Sequence, residues 1–513
     1  MWTGIPKKEE IIMHVIGLDV GTTGLKAIVF DLEGKIKGYG FGRYDIIFKK
    51  PNWAEQDPEK LWEIARNVIR KVIKDTNLKD IKAICVSVQG DAVIPVDSKI
   101  RPLHNAILGM DYRSVKEALS CSELIGGREL FNITGMRPHP ITSLTKILWF
   151  KENTKDIYKE SYKFMTYADF ISSKLGAQPY IDWTMASRTM AFDLLKREWS
   201  EFILDKVNIN KSLFSKPVPS GEIIGKVSTQ VAEDVGLSEE CLIITGGHDQ
   251  TCAGIGAGCI KEGIAIDSHG TAEVLSTAFI APVLNDDMYE SYYPCYLHAK
   301  KGMYFTFSLN HVGGILLEWY KDTMGYFEEK EAQKLGRDIY QLIDSKTKEG
   351  PSKLLILPHF NGSGTPWCDL SSKGAILGLT LSSTRHDISK AILDSLVYEL
   401  RINMERMRKA GIKIKEVRAV GGAAKSPIWL RVKADILDCK IMTLETHEAA
   451  CLGAAIIAGT AIGGYSSLEE GVKIAVKPKD EFTPNPEMQE LYEERYNIYK
   501  DLYVTLKDIN RRL

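Results

Sequence analysis

Two distant stretches of this chain read as the same device. In HVIGLDVGTTGLKAIVF (residues 14–30) two β-rich runs flank Gly21-Thr22-Thr23-Gly24, and in GIAIDSHGTAEVLST (residues 263–277) a second strand–turn–strand appears. A glycine-rich turn between short apolar runs reads as a hairpin. Set side by side, Asp19-x-Gly21-Thr22 is similar to Asp267-x-x-Gly270-Thr271, with a one-residue offset. The match is short enough to arise by chance. If it is real, it constrains the chain to two domains of related architecture, each offering a turn to one shared cleft. The Gly-rich stretch 254–263 would then hold the boundary.

The 513 residues are enough for a large α/β enzyme, and 44% hydrophobic with 26% charged residues is ordinary for a globular chain. A net charge of −1 argues against nucleic acid or an anionic membrane as main partner, because phosphate surfaces demand clustered Lys and Arg. The nine cysteines are odd in number and include no C-x-x-C pair, which argues against zinc or iron–sulfur sites and suits reduced thiols in the cytoplasm. No apolar run approaches the roughly 18 residues of a membrane span. The start, MWTGIPKKEEII, lacks the apolar core of a signal peptide, and residues 1–12 read as an extension outside the fold.

Further elements follow from periodicity. Residues 58–75 place Leu61, Ile64, Val68, Ile69 and Val72 on one helical face behind Pro58. Residues 82–88 and 241–245 are short apolar runs of the buried-strand kind, the second ending at Gly246-Gly247-His248-Asp249-Gln250. Residues 387–409 form a long helix that Thr384 and Asp387 could cap. The Ala- and Gly-rich stretch 448–459 reads as a buried helix packed closely on a neighbour, and 486–513 as an amphipathic helical tail.

Three places carry candidate chemistry. Glycines at the turn Gly21 to Gly24 let backbone N–H groups approach an anion, Thr22 and Thr23 add hydroxyls, Lys26 stands near, and Asp19 at the strand end can hold Mg²⁺. Asp249, after an apolar strand and two glycines, should project at a strand end, where it could accept a hydroxyl proton or merely cap a helix beginning near Gln250. The turn Gly421-Gly422-Ala423-Ala424-Lys425-Ser426, between a strand and a helix, could lie flat against a base or phosphate or be a plain connection. Neither a Walker-type loop nor a Rossmann fingerprint occurs.

Together these pieces resemble the FGGY family of carbohydrate kinases, of the actin–hexokinase–Hsp70 superfamily. The most specific portion runs from Gly374 to Asp394 (GAILGLTLSSTRHDISKAILD), with further similarity in Asn52 to Pro58, Trp199-Ser200 and Gly421 to Leu437. The resemblance implies an α/β fold of two ribonuclease H-like domains around a central cleft, spanning residues 13–258 and 259–513. It places Asp249 as catalytic base and metal contact, Gln250 beside the substrate, and Asp19 near the metal. Gly21, Thr22, Thr23 and Lys26 fall in the first phosphate motif, Gly270 and Thr271 in the second. Gly313 and Gly314 become cleft residues, and Gly421, Gly422, Ala423, Lys425 and Ser426 the adenosine motif. ATP and Mg²⁺ are the implied cofactors, and transfer of the γ-phosphoryl group to a sugar or polyol hydroxyl the implied reaction.

On the substrate side the chain reads Gln89-Gly90-Asp91, without the histidine typical of xylulokinases or the Asn-Gln-Arg-Glu-like segment of glycerol kinases. Asp111 and Arg113 resemble the family's substrate-side Asp-x-Arg, with a surface ion pair as the alternative. The expectation is a ketose such as a pentulose or hexulose, with polyols and other sugars open. A non-catalytic sensor of the same fold would have no need of a proton acceptor at Asp249. An Hsp70- or actin-like ATPase is disfavoured by the signature. Expected partners are a small sugar and ATP, with no nucleic acid and no membrane; assembly as a homodimer is open.

Overall fold

A computed structural model describes residues 13–78 and 80–513; the expected extension at residues 1–12 lies outside them. Two sheets organise the chain. The first holds β1 (His14–Val20), β2 (Gly24–Asp31), β3 (Ile36–Arg43), β4 (Ile81–Val88), β5 (Ile223–Lys226) and β6 (Leu242–His248), in spatial order β3-β2-β1-β4-β6-β5. The second holds β7 (Gly263–His269), β8 (Glu273–Phe279), β9 (Tyr296–Leu297), β10 (Tyr304–Asn310), β11 (Ile414–Gly421), β12 (Lys440–Leu444) and β13 (Pro478–Phe482), in order β9-β10-β8-β7-β11-β12-β13. In each sheet a central strand pairs antiparallel with the next strand in sequence and parallel with a later one: β1 with β2 and β4, β7 with β8 and β11. The outer strands β5 and β13 run antiparallel to their neighbours. The two halves therefore repeat one topology, which gives the short sequence match a structural basis.

The helices form where the sequence supplies their ends. Helix α1 (Pro58–Thr76) starts at Asp57, whose carboxylate accepts from the N–H groups of Glu59 and Lys60, and stops at Asn77 in the left-handed region. Helices α2 (Asp249–Gly256), α3 (Arg385–Lys409), α4 (Pro427–Leu437) and α5 (Ala449–Ala461) complete the frame of the site. Thr384 and Asp387 form the expected capping box of α3. The tail makes two helices, Pro486–Tyr499 and Leu502–Asn510, and its buried Tyr496 and Tyr499 donate to Glu405 and Glu399 of α3 at 2.8 and 2.7 Å.

A shared core joins the halves. Val15, Ile28, Phe30, Cys85 and Ile244 of the first sheet meet Ile264, Ile266 and the apolar face of α5. Helices α2 and α5 cross within it at glycines: a Cβ on Gly256 would collide with the Ala449 carbonyl, and one on Gly453 with that of Cys252. Gly17 presses equally closely on Cys451, so α5, from the second half, lies directly on the first sheet. Among the described residues no helix is long and apolar enough to cross a membrane.

Candidate active site

The turn after β1 is held from outside. Tyr44 Oη donates to the Gly21 carbonyl at 2.5 Å, the Tyr44 N–H to that of Thr23 at 3.3 Å, and Gln56 Nε2 to that of Thr22. Thr22 and Thr23 remain exposed at the tip. Just before the turn, Asp19 shares a strand face with Val15 and Gly17, the face toward the other domain. Ser87 Oγ donates to its Oδ1 at 2.8 Å. Burial nevertheless raises the Asp19 carboxyl above the usual aspartate range, only partly offset by Ser87 and Lys26.

Asp249 begins α2, with His248 in the cap position and no side-chain capping bond, so the expected alternative of a capping aspartate does not apply. The strand before it is pressed onto β4: a Cβ on Gly246 would collide with the Val86 carbonyl, and the β6–β4 register shifts between Ile244 and Gly247. This irregularity delivers Asp249 to the sheet's carboxyl end, where open α/β sheets bind ligands. Its Oδ1 is buried with no hydrogen-bond donor among the described residues, although the His248 Nε2 lies 3.1 Å away. Burial drives His248 well below its ordinary value, so the ring is neutral, and its Nδ1 meets the Tyr296 hydroxyl of the second half at 3.2 Å. Burial, then the like charge of Asp19, push Asp249 up to about 7, against the pull of Arg188.

Around this pair the substrate-side stretch takes defined roles. Gln89 Nε2 donates to Gln56 Oε1 at 3.1 Å and so braces the first turn. A Cβ on Gly90 would stand 3.0 Å from both Arg188 Nε and His248 Nε2, leaving no space for a side chain. Asp91, at φ 68°, receives Arg188 Nε at 3.1 Å and also its Nη2. Both oxygens of the Asp91 carboxylate are thus engaged by Arg188. Gln250 is half-buried at the start of α2. A cavity of about 250 Å³ opens at Arg188 between the two halves, walled by residues 136–141 on one side and by Phe307, His311 and the 364–370 segment on the other.

A second cavity, of about 540 Å³, gathers five of the predicted nucleotide residues: Gly270, Gly314, Gly422, Lys425 and Ser426 line it, with Trp429, His269 and the helix at Ile339–Lys346. Two of these glycines are not required by the fold. A Cβ on Gly270 would have nothing nearer than 4.0 Å and one on Gly422 nothing nearer than 3.8 Å, so their missing side chains leave room in the pocket. Gly421, by contrast, sits at φ 84° against the His269 backbone, and Ala423 follows it in the turn. Thr271 is exposed at the second turn tip.

Several expectations need correction. Asp111 and Arg113 are fully buried; Arg113 pairs with Asp111 at 2.7 Å and Glu55 at 2.8 Å and lies 3.8 Å over Trp53, so they are neither a surface pair nor part of either cavity. Lys26 pairs with Glu448 of the second half at 2.6 Å, which commits its ammonium to an inter-domain contact. Gly313 is buried and its N–H donates to the Thr271 carbonyl at 2.8 Å, as that of Gly314 does to Gly270; they brace the second turn, and only Gly314 reaches the pocket. The match of Asp19 with Asp267 fails at the side chain. The one-residue offset turns Asp267 to the opposite strand face, where the buried Lys433 of α4 bonds it and Glu273. Burial alone would lower Lys433, but these two carboxylates outweigh it and keep the ammonium charged. The carboxylates of the cluster Asp267–His269–Glu273, whose ligand atoms lie within 4.8 Å of one another, are therefore already paired with a cation of the chain. Arg188, Arg137, His139 and Lys433 were not foreseen: Arg188, Arg137 and Lys433 have their partners far away in sequence, and only the fold brings them together.

Family models match both halves. That for the N-terminal domain of the FGGY family of carbohydrate kinases covers residues 14–256, and that for its C-terminal domain residues 268–462. The chain is 28% identical over 502 residues to a xylulose kinase of Bacillus subtilis, covering 98% of each chain, and 27% identical over 460 residues to a gluconokinase of the same organism, covering 89% of each. Its fold is that of the xylulose kinase of Lactobacillus acidophilus, with a TM-score of 0.88 at 24% identity over 97% of this chain and 99% of that one. With both domain models matched in order over a shared fold, the chain belongs to the FGGY family of carbohydrate kinases and is an ATP-dependent phosphotransferase with a carbohydrate hydroxyl as acceptor.

Proposed function

We propose that the acceptor is a ketose, a pentulose or hexulose of the xylulose kind, and that Asp249 is the general base of the transfer. The observation that carries the second part is the Asp249 carboxylate itself, poised near neutrality with an Oδ1 that has no hydrogen-bond partner among the described residues, and close enough to feel the charge of Arg188, which lines the inter-domain cavity. A base works best when its pKa lies near the working pH. A sugar hydroxyl seated against Oδ1 gives it the proton as the hydroxyl oxygen bonds to the γ-phosphorus, and the bond to the β–γ bridging oxygen breaks to leave ADP. Similarity to several xylulose kinases supports the ketose.

The residues present suit Mg-ATP. Burial raises both Asp19 and Asp249, and the charge of Asp19 raises Asp249 further, an arrangement a divalent cation relieves, and they would hold Mg²⁺. Bound there, the ion neutralises charge on the transferring phosphoryl group. Gly270, Gly422 and Trp429 give the nucleotide an uncrowded wall, and the exposed Thr22, Thr23 and Thr271 offer hydroxyls to phosphate oxygens. All nine cysteines are free and eight are buried, which fits the cytoplasmic setting we assign.

The test is ADP release with Mg-ATP and a panel of ketoses, polyols and other sugars, comparing wild type with Asp249→Asn. Loss of roughly 10²–10⁴ in rate, with nucleotide affinity retained, is the expected result. Near-normal turnover in the variant would remove Asp249 from the chemistry.

A further inference from the structure

The cavity at Arg188 has a chemical bias that a neutral sugar does not explain. Among the described residues no carboxylate lines it, whereas Arg137, Arg188, His139 and His311 do. Asp91 answers one edge of Arg188 and leaves Nη1 buried with no hydrogen-bond partner among the described residues. Arg137 gives Nη1 to the Tyr289 carbonyl at 2.5 Å and stacks on Tyr289 and Tyr292, at 4.1 and 3.8 Å from the ring centres. Among the described residues no carboxylate lies within ion-pair distance of it. The Nδ1 of His139 accepts from the Ile141 N–H at 3.1 Å, so a neutral ring presents Nε2–H as a donor. Burial and the nearby Lys146 hold that ring neutral down to about 4.

The wall thus offers donors and positive charge without an acceptor of matching strength. A hydroxyl needs to donate as well as accept, whereas a carboxylate only accepts. A guanidinium fork is the side chain best matched to a carboxylate, and it keeps its charge when buried. The volume, about 250 Å³, lies below the ~300–1,000 Å³ of drug-sized sites, a scale that suits a single sugar. Resting on the kinase reading above, we propose that the pentulose or hexulose is an acidic one, a keto sugar acid of five or six carbons, its carboxylate paired with Arg137 and an oxygen nearer the reacting end taken by Nη1 of Arg188. Arg137 is then the residue that selects acids over neutral sugars.

The test is steady-state kinetics of the full chain with Mg-ATP on matched pairs: aldonates, keto-aldonates and hexuronates against the corresponding neutral polyols and ketoses, with sugar monophosphates as a further arm. The expected result is an acid preferred over its neutral counterpart by about 100-fold or more in kcat/KM, a margin of the kind desolvated charge pairing gives. In Arg137→Met, which keeps the stacking bulk without the charge, that ratio should collapse toward unity, and Arg137→Lys should restore part of it. Preference for a neutral ketose, preference for a sugar phosphate, or an unchanged ratio in Arg137→Met would each overturn the assignment while leaving the kinase reading intact. Absence of Asp249-dependent turnover on every sugar would overturn both.

Discussion

At the scale of single residues, the site depends on which carboxylates are compensated. Asp249 must be unprotonated to act as base and is raised to about 7, so kcat/KM for the sugar should fall as pH drops through about 7, tenfold per unit. An acid limb near pH 4 would instead reveal an ordinary, well-solvated aspartate. Lys433 shows the opposite case. Replacing it with Met strands Asp267 and Glu273 in a dry interior, and unfolding by urea should show a loss of about 3–5 kcal/mol. Gly422→Val should leave the unfolding midpoint near that of wild type and weaken ATP binding at least tenfold by calorimetry, because the protein leaves room for the side chain but the pocket does not. The place of Asp249 after its strand, and of the two turns between theirs, was legible from sequence. The role was not legible for Lys26, Asp111 and Arg113, because sequence shows that a charge is present and not which partner already holds it.

At the scale of elements, the crossing of α2 and α5 sets how the halves meet. A methyl group at Gly453 has nowhere to go but into the Cys252 backbone, so Gly453→Ala should cost about 1–3 kcal/mol in chemical denaturation and lower kcat by changing how the domains sit. Unchanged stability would mean that the helices separate easily. The Ala- and Gly-rich composition of 448–459 announced a closely packed helix, and the periodicity of α1 and α3 announced their faces and caps. The partner of α5 was beyond reach of such patterns: it lies on a strand and a helix some hundreds of residues earlier, joined only by a backbone contact that glycine permits.

At the scale of the whole molecule, the repeated topology raises the question of how many sites the chain holds. Among the described residues Asp19 and Asp249 of the first half have no Lys or Arg ion pair, whereas Asp267 and Glu273 of the second are held by Lys433, so Mn²⁺ titration followed by electron paramagnetic resonance should find one ion per chain in the presence of nucleotide, lost in Asp19→Asn. Two ions lost independently would contradict that count. Similarity of the two turns in sequence was a sound guide to the duplicated fold and a poor one to its chemistry, since side chains alternate along a strand and a shift of one residue exchanges its faces.

That shift has a consequence for the direction of the reaction. Ser268, not Asp267, occupies the place in the second half that Asp19 holds in the first, so the two facing strand ends differ by a full charge. Phosphate oxygens can rest against the uncharged half unaided, but approach the acidic half only with a cation between. The duplicated fold has in this way become polar across its midline. If the cleft works as proposed, the group in transit enters from the neutral side and leaves on the charged one.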